Sequence, residues 1–231
     1  MNKRLMTIAD RIPEGIGFID VGTDHGYLPV YMAQNGYTGN IIASDINAGP
    51  LSAAERTAMD AGVYERLEFL LCDGLKLCDY NRVDTIVIAG MGGDMICHIL
   101  DNAEWCMDSR YKLILQPMTK AEVLRYWLVN NGFSITAENL VSDSGFLYQI
   151  IDTRFGGKTE LNDAELFVGR YELSCDKELY RKQLDAIFRR IEKAAANMEQ
   201  SRNVDSSFRL RLYRDILSQL EMIRRSYDEG I

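Results

Sequence analysis

Histidine is almost missing from this chain of 231 residues, which holds two, His25 and His98. Cysteine is scarce and unpaired in pattern: Cys72, Cys78, Cys97, Cys106 and Cys175 make an odd count with no C-x-x-C. Residues of these types so spaced build neither a zinc site nor a disulfide framework, so reduced thiols and no metal are expected. Long apolar runs are missing too, and nothing approaches the roughly 20 residues of a membrane span. The N-terminal stretch MNKRLMTIADRIPEG lacks the apolar segment of a signal peptide. A cytoplasmic protein without a membrane partner is the expectation. Basic excess is also lacking, since 26 Lys and Arg face 34 Asp and Glu. At first sight that disfavours a polyanionic partner.

What is present is apolar content enough for one core of ordinary size plus a small appendage, 47% of the chain. From residue 18 to about 155, β-branched runs alternate with amphipathic segments, the pattern of parallel strands joined by crossover helices. The expected strands are GFID, NIIASDI, LEFLLCD, DTIVIAGM and YKLILQP. Then FSITAENLVSD and GFLYQIIDTRF, separated only around Asp143, Ser144 and Gly145, have no room for a crossover and predict an antiparallel hairpin. The fold class is thus α/β, a mostly parallel Rossmann-like sheet with an antiparallel last strand. Beyond about residue 163 the strand signal stops. Apolar positions Leu184, Ile187, Ile191, Ala194 and Met198, then Leu210, Tyr213, Leu217 and Leu220 with Arg224, recur at spacings of three and four. They predict two helices turning near SRNVDS and pairing as a coiled-coil arm, the alternative being ordinary helices packed on a sheet. The expected domains are 1–160 and 161–231.

The stretch FIDVGTDHGYLPVYMAQNG ends an apolar strand in Asp20 and follows it with Gly22 and Gly26. A sharp strand-to-helix turn of this kind offers backbone N–H groups to a ligand. Asp45 closes the second strand 25 residues later, where a carboxylate accepts both ribose hydroxyls of an adenosine. Asp73 closes the third, within reach of an adenine amino group, and Asp94 lies just past the fourth. Helix capping explains any one of these acids; a shared ligand better explains all four. The turn is not G-x-G-x-x-G, so the pattern that brings backbone against a pyrophosphate is absent, and the terminal hairpin favours S-adenosylmethionine over a dinucleotide. In DTIVIAGMGGDMI no acid or amide is followed by two prolines and an aromatic. Gly90, Gly92 and Gly93 leave open space instead, with Met91 placed to touch methyl donor or incoming base; tight strand-to-helix packing is the competing explanation.

The motifs DVGTDHGYLP, ASDIN, CDGL, IAGMGGDMI and LILQPM, in that order and followed by a helical pair, resemble the bacterial tRNA (adenine(22)-N1)-methyltransferase family along the whole chain. The resemblance implies a class I Rossmann-like methyltransferase sheet, S-adenosyl-L-methionine as donor, a helical arm, and N1-methylation of adenine 22 in the tRNA D-arm. It implies that Asp20, Gly22, Thr23 and the turn through Gly26 hold the methionine part. Asp45 with Ile46 and Asn47 would take the ribose, Asp73 with Gly74 the adenine, and Gly90, Met91 and Gly92 would lie beside the cofactor. Asp24, His25 and Tyr27 would face the reacting centre. One departure is Gly26, where alanine is common; it is expected to loosen the turn. Adenine N1 has an in-plane lone pair, so its attack on a methyl group needs alignment more than a strong base. The product is cationic, and Asp24 beside the base would stabilise that charge. His25 would orient carboxylate or base, or serve a structural hydrogen bond. Tyr27 would stack on an extruded base or merely pack under its helix.

The charge deficit divides unevenly: residues 170–231 carry a net +2 and residues 1–169 a net −10. The arm is therefore the less repulsive surface for RNA. Its Arg181, Lys182, Arg189, Arg190, Lys193, Arg209, Arg211 and Arg214, with Lys3, Arg4 and Arg11, are the candidate phosphate ligands. A solvated helical face is the alternative. Two rival functions remain: a methyltransferase of small molecules or proteins whose arm dimerises, and a non-catalytic module binding cofactor or RNA. A monomer or weak dimer is expected.

Overall fold

The computed structural model describes residues 1–76, 79, 81–199 and 204–229, with residues 204–206 described in backbone only. The chain forms two compact units, Met1–Thr159 and Glu160–Ile231.

In the first unit, β1 (Gly17–Val21), β2 (Asn40–Asp45), β3 (Leu67–Leu71), β4 (Thr85–Gly92), β5 (Lys112–Thr119), β6 (Phe133–Asp143) and β7 (Phe146–Phe155) form one sheet ordered β3-β2-β1-β4-β5-β7-β6. The strands β1 to β5 run parallel, and β7 enters antiparallel between β5 and β6. Every residue of β1 is buried, and apart from Asp20 the strand carries no polar side chain. The helices are α1 (Lys3–Ala9), α2 (Tyr27–Gln34), α3 (Ala48–Asp60), α4 (Gly93–Asp101) and α5 (Ala121–Asn130). One core cluster joins Ile8 and Ile12 at the N-terminus with Leu28 and Met32 of α2 and with Phe18, Ile41, Val87, Ile114 and Ile150 of the sheet. This fixes the start of the chain against the sheet.

The β6–β7 turn is as expected, and its chemistry is local. Ser144 and Gly145 have φ of 51° and 82°, two successive left-handed residues, which is the two-residue turn whose twist suits a hairpin. On the other side of the hairpin a buried ion pair, Arg125 Nε to Glu138 Oε1 at 2.7 Å, ties α5 to β6, and Gln149 accepts from the same guanidinium at 2.6 Å. Two strand ends differ from expectation. β3 stops at Leu71, with one further ladder bond from Cys72 N to Asp45 O at 3.0 Å. β4 continues to Gly92 through a bulge at Gly90, so Asp94 falls inside α4.

The second unit contains α6 (Asp163–Val168), α7 (Lys177–Glu199) and α8 (Val204–Glu229). Helices α7 and α8 run antiparallel, with Arg181 paired to Asp228 and Arg214 to Glu199 at opposite ends. The short α6, capped by a reciprocal pair of bonds between Asn162 and Glu165, is an element that the helical period does not predict. It lies against both long helices, through Gln183 Nε2 to Val168 O at 2.8 Å and Ala164 N to Gln219 Oε1 at 3.1 Å. The pairing is therefore broader than a two-helix seam: Tyr180, Gln183, Ala195 and Ile216 are buried, and Ala194 is only half-buried. The turn expected near SRNVDS lies largely outside the described residues, and α8 already begins at Val204.

Candidate functional site

The carboxyl ends of β1 and β4 border a cavity of about 310 Å³ lined by Arg4, Asp20, Gly22, Thr23, Asp24, His25, Tyr27 and Gly90, among others. In the loop after β1, Gly22, Asp24 and Gly26 all have positive φ, at 72°, 53° and 69°. The amides of such a turn are expected to face a ligand, and three of them do not. Gly22 N and Thr23 N both donate to Ser44 O, at 2.8 and 2.9 Å, and Gly26 N donates to Thr23 O at 2.9 Å. The β1–β2 ladder in effect continues past the strand end, so these three amides already have partners within the chain.

Asp20 is 6% exposed. Its Oδ2 accepts from Thr23 Oγ1 at 2.8 Å. Burial pushes its carboxyl up to about 6, against the opposing pull of the Thr23 hydroxyl and the Arg4 charge, while nearby Asp45 adds to the rise. A buried acid so shifted, set in a cleft, is a candidate ligand-binding group. Beside it, Asp24 and His25 are exposed, with Asp24 Oδ1 and His25 Nε2 3.8 Å apart. The His25 and Tyr27 rings stack with centroids 5.5 Å apart. The cap of α2 is Gly26, without a side-chain bond, so Asp24 is not a helix cap. Glycine at 26 does not loosen the turn as expected: a Cβ there would meet Ala54 Cβ at 2.8 Å, so the position is tight.

The remaining candidates stand around this cavity without lining it. Asp45 is buried at the end of β2 and its Oδ1 accepts from Asn47 N at 2.9 Å, a local turn, while Ile46 and Asn47 are exposed at the start of α3. Asp73 is exposed and paired with Lys76, whose hydrogen bond holds its carboxyl below the usual range; Gly74 beside it has φ of 61°. Met91 lies over the turn, since a Cβ on Gly22 would meet its Cε at 2.1 Å. Gly92 caps α4 in extended backbone. Asp94, counted among the strand-end acids, is drawn away to Lys120 Nζ at 2.6 Å, and that bond lowers its carboxyl.

Sequence reasoning missed Gln116. It is fully buried, its Oε1 accepts from Arg4 Nη1 and from Gly90 N (3.2 Å), and its Nε2 donates to Pro117 O at 3.0 Å. Its one signal in the sequence is an amide at the end of an otherwise apolar strand. Arg4, assigned to RNA phosphates, instead enters the cavity wall; its guanidinium lies 5.7 Å from the Tyr148 ring centre and its backbone N donates to Asp143 Oδ2 at 3.2 Å. Arg11 is also displaced from that role, because Asp152, 3% exposed, holds it through Nε at 2.6 Å and also binds Lys112. In the C-terminal unit, Arg181 is paired with Asp185 and Asp228, Lys182 with Glu178 and Arg214 with Glu199. Arg190 sits over Phe167 at 5.8 Å. Lys3, Arg189, Lys193, Arg209 and Arg211 are exposed.

Other chemistries find little support. Burial pushes the Cys97 thiol up to about 11 and that of Cys106 to about 12, which removes both as nucleophiles. Cys72 is buried, Cys175 is exposed, and Cys78 lies outside the described residues. Among the described residues no group of three or more His, Cys, Asp or Glu is placed to hold a metal ion, and no helix is long and apolar enough to cross a membrane.

A parallel sheet that reverses at its last strand, with an acid-bearing glycine turn after β1 and a polar cavity at the strand ends, defines a class I methyltransferase domain that uses S-adenosylmethionine. The model of the methyltransferase domain family matches residues 1–151, and the chain belongs to that family, within its TrmK-like group. The tRNA (adenine(22)-N(1))-methyltransferase of Bacillus subtilis is 27% identical over 235 residues, spanning 100% of this chain and 98% of its own length. The crystal structure of the B. subtilis M1A22 tRNA methyltransferase TrmK superposes with a TM-score of 0.85 at 26% identity, covering 96% of this chain and 98% of that one. M. capricolum TrmK, solved with S-adenosyl-homocysteine, gives 0.78 at 25% identity over 99% and 98% of the two chains.

Proposed function

We propose that this protein transfers the methyl group of S-adenosylmethionine to N1 of adenine 22 in tRNA. The observation that carries the reading is the joining, at the mouth of one cavity, of a buried acid and a guanidinium with an exposed Asp24–His25–Tyr27 group, in a chain alike over its full length to a tRNA (adenine(22)-N(1))-methyltransferase. The donor set fits the cofactor: Asp20 suits its ammonium, and Asp45 at the next strand end suits a ribose diol. Met91, Gly90 and Gly92 would flank the bound cofactor, and Asp73 with Gly74 would take its adenine. S-adenosylmethionine, when bound, supplies an electrophilic methyl on sulfur.

The work left to this chain is alignment and charge. Tyr27, exposed and stacked on His25, offers an aromatic face to an extruded base. Adenine N1 brings its own lone pair, so no residue has to remove a proton before it attacks. Positive charge then spreads over the purine, and the Asp24 carboxylate compensates it while accepting from the exocyclic amino group. His25, within 3.8 Å of Asp24, holds that carboxylate in place. We assign the domain boundary to residue 160 and the RNA phosphates to Lys3, Arg189, Arg209 and Arg211. A cytoplasmic location follows from a tRNA substrate, and a monomer or weak dimer is the assigned state. Incubation with radiolabelled S-adenosylmethionine and unmodified tRNA should give N1-methyladenosine in digested nucleosides. A tRNA carrying guanosine at position 22 should remain unlabelled; label in that tRNA, or in a metabolite extract instead, would refute the assignment.

A further inference from the structure

N1 lies on the pairing edge of adenine, and an adenine stacked in a tRNA stem keeps that atom against the opposite strand. A methyl donor reaches it only after the base has left the stack, and the gap left behind has to be kept from closing. Apolar side chains inserted between base steps hold nucleic acid open in this way. One side chain near the cavity has the form of such a wedge. Phe146 is 68% exposed, as much as any large apolar side chain among the described residues. It opens β7 directly after the Ser144–Gly145 turn, paired with Asp143 across the hairpin. Leu113 pairs with Thr153 and Leu115 with Ile151, so β7 runs against β5 and begins at the sheet edge where β1 to β5 end. The hairpin tip and the cavity therefore share one edge of the sheet.

Phe146 and Tyr148 stand two residues apart in one strand and point to the same face. Their ring centroids are 6.4 Å apart, and the guanidinium of Arg4, a residue of the cavity wall, lies 5.7 Å from the Tyr148 centroid. On the other strand Asp143 Oδ2 accepts from the Arg4 backbone N at 3.2 Å, while its Oδ1 accepts from Ser144 Oγ at 3.1 Å. Both strands of the hairpin are thus tied to the same residue of the cavity wall. Further along this face Tyr148 packs against the core cluster and Ile150 belongs to it, whereas Phe146 stays in water. The packing of the sheet leaves that ring unused.

We propose that Phe146 is a wedge that enters the tRNA helix at the space vacated by adenine 22 and keeps the extruded base on the side of the cavity. It is a positioning residue without contact to the methyl group. The inference rests on the methyltransferase reading above and adds to it the device that holds the target nucleotide out of its stack.

The test is single-turnover methyl transfer by the full chain, in excess and at saturating S-adenosylmethionine, to two tRNAs. One is unmodified, and the other has an abasic residue in place of the nucleotide that faces adenine 22. In the second the target base is already unpaired, so a wedge has little left to do. Phe146→Ala should slow transfer to the intact tRNA roughly 10- to 100-fold, the scale of an unstacking step, and stay within about threefold of wild type on the abasic one. Phe146→Leu keeps an apolar wedge and should recover most of the loss, and both variants should bind S-adenosylhomocysteine as wild type does. Unchanged transfer to intact tRNA by Phe146→Ala would overturn the proposal. So would an equal loss on both tRNAs, which would mean that the ring serves the fold or general RNA contact. If the wild-type protein methylated neither tRNA, the methyltransferase reading itself would fall, and the wedge with it.

Discussion

Asp24 has φ of 53° inside the turn closed by Gly26 N to Thr23 O, caps no helix and is largely exposed at the cavity, which leaves its carboxylate available for a purpose other than capping. If that purpose is to meet the charge growing on adenine, Asp24→Asn should lower single-turnover methyl transfer about a hundredfold or more at saturating cofactor, since preorganised electrostatic contributions are on the order of 2.7–4 kcal/mol. Cofactor affinity should hardly change. Equal rates would assign the residue to the scaffold. Asp20 predicts a pH effect of definite sign. Its carboxyl ionises near 3.8 when unfolded and near 6 when folded, so the folded state keeps the proton longer. The ligand-free protein should lose stability as pH rises from about 4 to 6, by at most about 3 kcal/mol. Urea midpoints across that window, wild type minus Asp20→Asn, separate this effect from that of the other carboxylates. A ligand ammonium needs the ionised form, so S-adenosylhomocysteine affinity should fall as pH drops below about 6.

At the scale of elements, two glycines that each lie in the first turn of a helix have opposite expected behaviour. Gly93 opens α4, and a Cβ there would meet the Lys120 carbonyl O at 2.2 Å, backbone that cannot swing aside. Gly93→Ala should therefore lower the unfolding free energy by about 1–3 kcal/mol through overpacking. Gly49 lies in α3, where a Cβ would meet nothing within 4 Å, and alanine there should stabilise by up to about 1 kcal/mol. Chemical denaturation of both variants decides. A neutral Gly93→Ala would mean that the α4 and α5 entries yield more readily than their close approach suggests. The same approach brings β4 and β5 into the bulge that lets Gln116 reach Gly90, so packing of these elements shapes the cavity wall.

For the molecule as a whole, the distribution of charge decides where a polyanion can rest. The Glu160–Ile231 unit contains the positively biased stretch, and there Arg189, Arg209 and Arg211 are exposed. Replacing these three by serine should weaken tRNA binding and reduce the slope of log affinity against log salt by roughly one for each phosphate no longer neutralised. A chain ending at Thr159 should keep S-adenosylhomocysteine binding and lose most tRNA affinity. Filter binding across a salt series measures both, and wild-type RNA affinity in the shortened chain would move the RNA surface to the sheet unit.

The sequence by itself determined the material of the sheet and the arm: buried β-branched runs, the Ser144–Gly145 turn, and the helical period of α7 and α8 are local patterns, and local patterns survive in one dimension. It likewise placed Asp20 through Tyr27 together, because consecutive residues of one short turn cannot be far apart. It could not show that the turn's amides are taken by Ser44 and Thr23, that Asp94 goes to Lys120, or that Arg11 is held by Asp152. It could not foresee α6, a six-residue helix whose support comes from α7 and α8. Nor could it bring Arg4 to Gln116. Those facts depend on which distant groups meet, and a charge or amide takes its role from the partner that burial supplies; only the tertiary structure chooses that partner.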